Sequence, residues 1–295
     1  MKIAYFLEDI PELEKPISLS IGIYDGVHLG HQTILKQLHK ETRKEGSRVL
    51  LTFSNHPSTH LTPNNPIPLI NSLQHRLNLL SQYDLDLIII LPFDAQIANL
   101  SYEAFFEKLR AFLPFDHLIV GEDARFGKGR AGGQSEIKAL PWKTHYLNKE
   151  TYQKEPISSG RIRHALEKGD LKKVKKMLGR PYSIHLPFDQ LNVIQENEDQ
   201  YKWVTGTEKL CLLPSAVYAV DLYNGEKKIP AIAFYRGVQT LQRETKLNLT
   251  LYFEKKIPPS DHIEIIFVSY LYNELDPKSS KASLLETLKP ELSPS

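Results

Sequence analysis

Cysteine is almost absent. The single residue, Cys211, excludes an internal disulfide framework and fits a reducing compartment, the cytoplasm. No cluster of Cys or His at metal-ligand spacing supports a zinc site, so no protein metal ligand is expected. Long apolar runs are absent too. The longest, residues 87–91, is far too short to span a bilayer, and residues 1–7 lack the apolar core and cleavage site of a signal peptide. Charge of one sign is not in excess: 37 Lys and Arg face 35 Asp and Glu, a net +2, so nothing global calls for nucleic acid. There is no internal repeat and no low-complexity block. What remains, 41% hydrophobic and 24% charged residues over 295 positions, is an ordinary globular composition with room for two domains.

Over the first 180 residues, apolar strand-like runs alternate with helical patterns. Runs at 17–23, 49–53, 87–91 and 118–120 read as strands buried on both faces, as in a parallel sheet. Leu73, Leu77 and Leu80 share one helical face, as do Phe105, Leu109 and Phe112. The alternation predicts a doubly wound α/β domain, whose ligands bind beyond the carboxyl ends of the strands. Three such ends carry His28 with His31, Asn55-His56-Pro57, and Gly121-Glu122-Asp123. After Pro181 the pattern changes to β-type runs at 201–205, 216–223, 229–235, 247–253 and 262–268, parted by turns such as Asn224-Gly225 and Pro258-Pro259. That predicts a small antiparallel β-barrel. The expected boundaries are 1–182, 183–275, and a C-terminal helix and tail at 276–295.

His28-Leu29-Gly30-His31 is the most informative stretch. It follows a strand and the tight segment Tyr24-Asp25-Gly26-Val27, and it opens a helical pattern at 32–43. A helix start offers free N–H groups and a positive dipole end, which suit a phosphate. Gly30 removes the side chain that would hold a phosphate away. Histidines three apart share a helical face and can both donate to one phosphoryl group. The alternatives are surface residues or half of a metal site.

Three further segments stand out. Residues 121–133, rich in glycine and arginine, follow a strand; they read either as a backbone able to wrap a nucleotide or flavin ring, or as a solvated surface loop. Ile157-Ser158-Ser159-Gly160-Arg161-Ile162-Arg163 precedes a helix at 164–169. Ser158 or Ser159 suits an N-cap, and Arg161 and Arg163 suit a polyphosphate, unless this is an ordinary capped helix with solvated arginines. Residues 171–180 are strongly basic, with Val174 and Leu178 on the other face: a solvated amphipathic helix rather than a nucleic-acid patch.

Taken together, these segments resemble the prokaryotic bifunctional riboflavin kinase/FAD synthetase family. The matching stretches are 21–32, Thr52-Phe53 with His56-Pro57, 121–132, 157–163 and Leu178-Gly179-Arg180-Pro181-Tyr182, in the family's order. The resemblance implies an N-terminal FMN adenylyltransferase that uses ATP with Mg²⁺ and FMN, and releases FAD and pyrophosphate. It gives catalytic roles to His28, His31 and Arg161. It gives ATP binding to Gly22, Tyr24, Asp25, Gly26, Gly30, Ser158, Ser159 and Arg163, and FMN binding to His56, Asp123, Phe126 and Arg130. The expected partners are these small molecules, with riboflavin as a further candidate, and neither nucleic acid nor membrane.

The chain also departs from the family. Tyr24 stands where Phe is usual, Ser54-Asn55 where Asp-Pro is common, Ala124 where an aromatic is common, and Gly160 where Thr is usual. In the second domain the family has a Gly-rich turn running into Pro-Thr-Ala-Asn, whose Thr and Asn serve Mg²⁺ and nucleotide. Here that region reads Ser183-Ile184-His185-Leu186-Pro187-Phe188-Asp189. Pro214-Ser215-Ala216-Val217-Tyr218-Ala219-Val220 resembles the family's Pro-x-x-Gly-Val-Tyr-Ala. The family's catalytic Glu belongs on the strand at 247–253, near Asn248, and that strand holds no carboxylate before Glu254. The expectation is an FAD synthetase with a degenerate kinase barrel. The alternatives are a fully bifunctional enzyme, and a non-catalytic flavin or nucleotide sensor or RNA-binding module.

Overall fold

In the computed structural model, residues 1–42, 45–187, 191–193, 200–205, 210–225, 227–239, 245–253 and 262–272 are described. They fall into two compact units: 1–68 with 76–158, and 69–75 with the chain from 159 onward.

In the first unit the predicted alternation is present. Its elements are β1 (Lys2–Ala4), β2 (Ile17–Ile21), α1 (Leu29–Glu41), β3 (Ser47–Phe53), α2 (Ser58–Leu61), α3 (Leu73–Leu80, shared with the second unit) and β4 (Leu87–Leu91). There follow α4 (Ala95–Asn99), α5 (Tyr102–Phe112), β5 (His117–Gly121), α6 (Gln134–Lys138) and β6 (Lys143–Leu147), then a two-stranded ribbon of β7 (Thr151–Tyr152) and β8 (Glu155–Pro156). The six-stranded sheet has the order β1-β4-β3-β2-β5-β6, and every pairing in it is parallel. The chain leaves β2 toward β3 and β4 on one side, then crosses to β5 and β6 on the other. The crevice between the carboxyl ends of β2 and β5 is therefore the topological switch point.

Burial follows the period of two along each strand. Leu19, Val49, Leu51, Leu87, Ile89, Leu118 and Val120 pack on one face with Phe105, Phe106 and Leu109 of α5. Leu50, Ile88, Ile90 and Ile119 alternate with them and are buried as well, as are Leu35 and Leu38 of α1. α1 starts earlier than apolar spacing predicts because His28 caps it, its ring accepting from the His31 N–H. β6, with the sequence KTHYL, has no β-branched run to reveal it; it forms at the sheet edge by pairing with β5.

The second unit contains α7 (Ser159–Glu167), α8 (Leu171–Leu178), β9 (Ser183–Pro187), β10 (Leu191–Val193), β11 (Gln200–Thr205), β12 (Ala216–Tyr223), β13 (Lys228–Gln239), β14 (Thr245–Tyr252) and β15 (His262–Tyr272). α7 begins five residues before the predicted helix, because Ile162 is buried although its polar neighbours hide the pattern. α8 buries Leu171, Val174, Met177 and Leu178 and leaves Lys172, Lys175 and Lys176 in solvent, as the amphipathic reading expects. The strands form one antiparallel sheet of order β10-β11-β14-β13-β12-β15-β9. It curls as a half-barrel. Register shifts between β12 and β15 at Val217/Tyr218 and Ala219/Val220 supply local bends. Gly225, at φ 93, closes the β12–β13 hairpin. Tyr182, Tyr218, Tyr235 and Phe267 are buried and pack ring on ring, and the Tyr218 hydroxyl donates to the Pro214 carbonyl at 2.8 Å. The expected turn at 258–259, Asp189, Glu254 and the C-terminal segment 276–295 lie outside the described residues.

One buried histidine gives this unit a titration signature. His75 lies beside Asn71 (2.8 Å) and Ser183 (3.4 Å), and its ring is stacked at 5.3 Å on that of His185. Burial, then the nearby His185 and Arg180, push its pKa down to about 3, so it stays neutral even with Glu264 at 3.9 Å. The unfolded chain takes up a proton near pH 6.5 that the folded chain refuses. His75 therefore costs stability as pH falls below about 6.5, at ~1.4 kcal/mol per unit. His75→Gln should lose roughly 2 kcal/mol less than the parent between pH 7 and 5 in urea unfolding. Parallel pH profiles for the two proteins would show that His75 is not held neutral.

Candidate functional site

The carboxyl end of β2 is sterically demanding. Tyr24 (φ 54) and Val27 (φ 38) both adopt left-handed backbone, with Gly26 (φ 81) between them. A β-branched residue there is a true outlier, of the kind that structures retain where a site needs it. The turn is held by its surroundings. The Tyr24 and Ser20 hydroxyls share a hydrogen bond at 2.5 Å, the Val27 N–H donates to the Tyr24 carbonyl at 3.0 Å, and the Gln32 amide donates to the Val27 carbonyl at 3.0 Å. Burial raises the Tyr24 pKa well above its usual value, so the ring stays neutral.

The turn delivers His28 to the head of α1. His28 is 7% exposed. Its imidazole lies over that of His31, ring centres 3.7 Å apart and 16° from parallel, and the His31 ring leans on Tyr24 at 4.9 Å. A Cβ on Gly30 would come within 3.3 Å of the His28 ring. The glycine therefore does more than clear space for a ligand: it lets the first imidazole fold back along the helix. The two rings form one stacked pair on the switch-point crevice, beside the positive end of α1.

Two other predicted segments reach the same edge of this sheet. After β3, Asn55 spans the ends of β3 and β4, donating to the Phe93 carbonyl (3.0 Å) and accepting from the Phe93 N–H (2.8 Å). His56 Nδ1 accepts from the Ser58 N–H at 3.1 Å, which leaves Nε2 to carry the proton. After β5, residues 121–133 are not a free loop. Phe126 and Gly132 exchange backbone hydrogen bonds of 2.9 Å, and the Lys128 N–H donates to the Leu100 carbonyl at 2.7 Å. A Cβ on Gly127 (φ 72) would lie 2.3 Å from the backbone nitrogen of Tyr102, so only glycine lets the loop seat against the head of α5. Phe126 turns inward and packs on Phe106 at 5.0 Å, in the core rather than on an open face. Asp123 and Arg130 are exposed, and Asp123 pairs with Lys149 at 2.8 Å.

Ser158 ends the first unit. It follows Ile157, whose N–H donates to the Glu150 carbonyl at 2.8 Å, while the Glu150 carboxylate accepts from Thr33 of α1 at 2.7 Å. Ser159, Arg161 and Arg163 lie on α7 in the second unit.

Sequence reasoning missed Arg76. This arginine of α3 is fully buried, and its guanidinium donates to the carbonyls of Ile23 (2.7 Å) and Phe53 (2.5 Å), one just beyond β2 and the other at the end of β3. Burial lowers its pKa to about 10, and attraction from the buried Asp25 opposes the fall. The visible signal was an arginine inside a leucine-rich helical pattern, which the periodicity reading counts as a solvent position.

Fold and site together define a doubly wound α/β domain with a histidine-capped helix at its switch point, followed by an antiparallel half-barrel. A family model described as FAD synthetase matches residues 10–161, and the chain belongs to that family. A bifunctional riboflavin kinase/FMN adenylyltransferase of Buchnera aphidicola (subsp. Schizaphis graminum) is 30% identical over 191 residues, 62% of this chain and 61% of that one. The protein of the same name from Bacillus subtilis is 30% identical over 183 residues, 59% and 57% of the two chains. The chain thus spans less than two-thirds of the length of these curated relatives. Among solved structures, a Streptococcus pneumoniae protein titled macrolide-efflux protein has the same fold: TM-score 0.79 at 21% identity, over 98% of this chain and 96% of that one.

Arg76→Met should remove a charged donor from the Phe53 and Ile23 carbonyls, the latter keeping the Thr52 hydroxyl at 3.1 Å, and a positive charge from beside Asp25. A cost of ~3 kcal/mol, lowering the unfolding midpoint by roughly 6–12 °C, is expected in a thermal melt. A shift below about 2 °C would mean that the guanidinium is not what holds the strand ends.

Proposed function

We propose that the chain is an FMN adenylyltransferase. A phosphate oxygen of FMN attacks the α-phosphorus of ATP; the bond from that phosphorus to the β-phosphate bridging oxygen breaks, and FAD and pyrophosphate leave. Mg²⁺ enters as part of the MgATP substrate. The observation that carries this reading is the stacked His28–His31 pair at the head of α1, on the switch-point crevice of a chain in the FAD synthetase family.

In-line transfer with no covalent enzyme intermediate asks a protein for position and charge stabilisation. The two imidazoles supply donors to the triphosphate and to charge developing at the α-phosphorus. Gly22, Tyr24, Asp25, Gly26 and Gly30 shape the approach of the nucleotide, Tyr24 and Asp25 from buried positions. Ser158, Ser159, Arg161 and Arg163 match pyrophosphate as hydroxyl and guanidinium donors. On the FMN side stand the Nε2–H of His56 and the exposed Asp123 and Arg130. Phe126 acts by anchoring the loop that carries those last two.

The names of the relatives and the half-barrel favour a second reading, in which riboflavin is phosphorylated as well. The residues weigh against it. Phosphoryl transfer to a neutral hydroxyl needs a metal clamp and usually a base. Where the family has its Thr and Asn, this chain forms β9, with Ser183, Ile184 and Leu186 buried and neither residue type present. β14, with the sequence TKLNLTLY, has no carboxylate. We therefore propose an FAD synthetase whose kinase activity is weak or lost.

Purified protein given FMN, ATP and Mg²⁺ should form FAD, and given riboflavin, ATP and Mg²⁺ should form little or no FMN, with the flavins separated chromatographically. No FAD above blank would overturn the main reading, while robust FMN formation in a preparation free of host kinase would make the enzyme bifunctional. His31→Ala should stay folded and lose about 3 kcal/mol of transition-state stabilisation, roughly a hundredfold in kcat, with a smaller change in FMN affinity. An unchanged kcat would reduce His31 to a packing residue against Tyr24.

A further inference from the structure

At the opposite end of the sheet from the switch point, three side chains converge that are far apart in sequence. Glu41 is the last residue of α1, His117 the first of β5, and His145 the third of β6. One potential ligand atom from each lies within 4.8 Å of the others, the sole such group of three among the described residues. The parallel register explains the meeting. His117 is level with Lys143 and Ile119 with His145, so both histidines stand on one face of the β5–β6 pair, two rungs apart, and α1 packs over that part of the sheet. All three are half-buried.

The surroundings suit an ion better than they suit three unoccupied side chains. His117 Nδ1 and His145 Nε2 are both buried without a hydrogen-bond partner, a costly state for an imidazole nitrogen. The contact of His145 Nε2 with Glu41 Oε2, 3.5 Å, is too long for a good hydrogen bond. It is close to the ~3.4 Å edge of a tetrahedron whose ligands sit about 2.0–2.1 Å from zinc. The other oxygen of Glu41 accepts from the Gln37 amide at 2.6 Å, one turn back on α1, and that bond aims the carboxylate.

We propose that Glu41, His117 and His145 form a binding site for one divalent transition metal ion of the zinc class. Two imidazoles and one carboxylate select zinc, cobalt or nickel over magnesium, which prefers all-oxygen shells. The site is therefore not the Mg²⁺ of an ATP substrate. α1 rises about 1.5 Å per residue, which puts Glu41 roughly 20 Å along the axis from His28. The ion would tie the tail of α1 to β5 and to the edge strand β6, a structural clasp with a fourth position open to water.

The test uses the full chain, stripped with a chelator and then freed of it. Zn²⁺ is titrated in competition with a chromophoric chelator, and Co²⁺ is followed by its visible absorption. One saturable equivalent is expected, with a tetrahedral-type Co²⁺ spectrum and a higher unfolding midpoint. The double variant His117→Gln/His145→Gln should weaken binding more than about a hundredfold, and Gln37→Leu roughly tenfold. His39→Ala, an exposed histidine on the same helix, should change nothing. Glu41→Gln serves as a second probe if the double variant does not fold, and it too should weaken binding. The proposal fails if no saturable Zn²⁺ binding appears up to about 100 μM, where binding would be weaker than about −5 kcal/mol. It fails equally if stoichiometry and affinity survive these ligand substitutions.

Discussion

A buried cation ties the carboxyl ends of β2 and β3 together beside the switch point. Carbonyls at a buried strand end need hydrogen-bond donors from outside the ladder. Arg76 answers two at once, reaching Ile23 beyond β2 and Phe53 at the end of β3. The cost of burying a guanidinium is lowered by its hydrogen bonds and by the buried Asp25. The left-handed residues at 24 and 27 have this fixed frame to lean on, and the head of α1 follows from them.

The histidine pair illustrates how strain and packing set chemistry. In water, two imidazoles in sequence would sample many rotamers. Here His28 is confined by the absence of a Cβ on Gly30, and His31 by the face of Tyr24. Tyrosine in place of the family's usual phenylalanine adds a hydroxyl, and that hydroxyl is bonded to Ser20, whose own hydroxyl donates to the Ile119 carbonyl of β5. The substitution thus links the site turn to the strand across the switch point. The same logic applies to the glycine-rich loop. Its glycines read as freedom in the sequence, yet Gly127 and Gly132 are glycines so that the loop can be pressed against Tyr102.

The second unit is built on packing that many sequences can satisfy. Pairing between antiparallel strands depends on alternation and aromatic packing, and Tyr218, Tyr235 and Phe267 retain both. A metal clamp depends on two particular side chains in one turn, and these are not in residues 183–187. Packing tolerates substitution and coordination does not, so a fold does not by itself carry an activity.

Local signals were enough for much of this protein. Leu87–Leu91 and Tyr102–Phe112 were legible to the residue, because a buried apolar run and a helical stripe are written in consecutive positions. The helix-start motif at His28 was legible for the same reason, since strand, turn and cap are neighbours in the chain. What the sequence alone could not decide are the features made by distant partners. β6 exists because β5 offers it an edge, Phe126 is core because Phe106 awaits it, and Arg76 is buried because two strand ends need its hydrogens. Glu41, His117 and His145 carry no spacing that a reader of the chain would pair. Their meeting is set by the register of β5 on β6 and by the length of α1, and both are properties of the packed sheet rather than of any one segment.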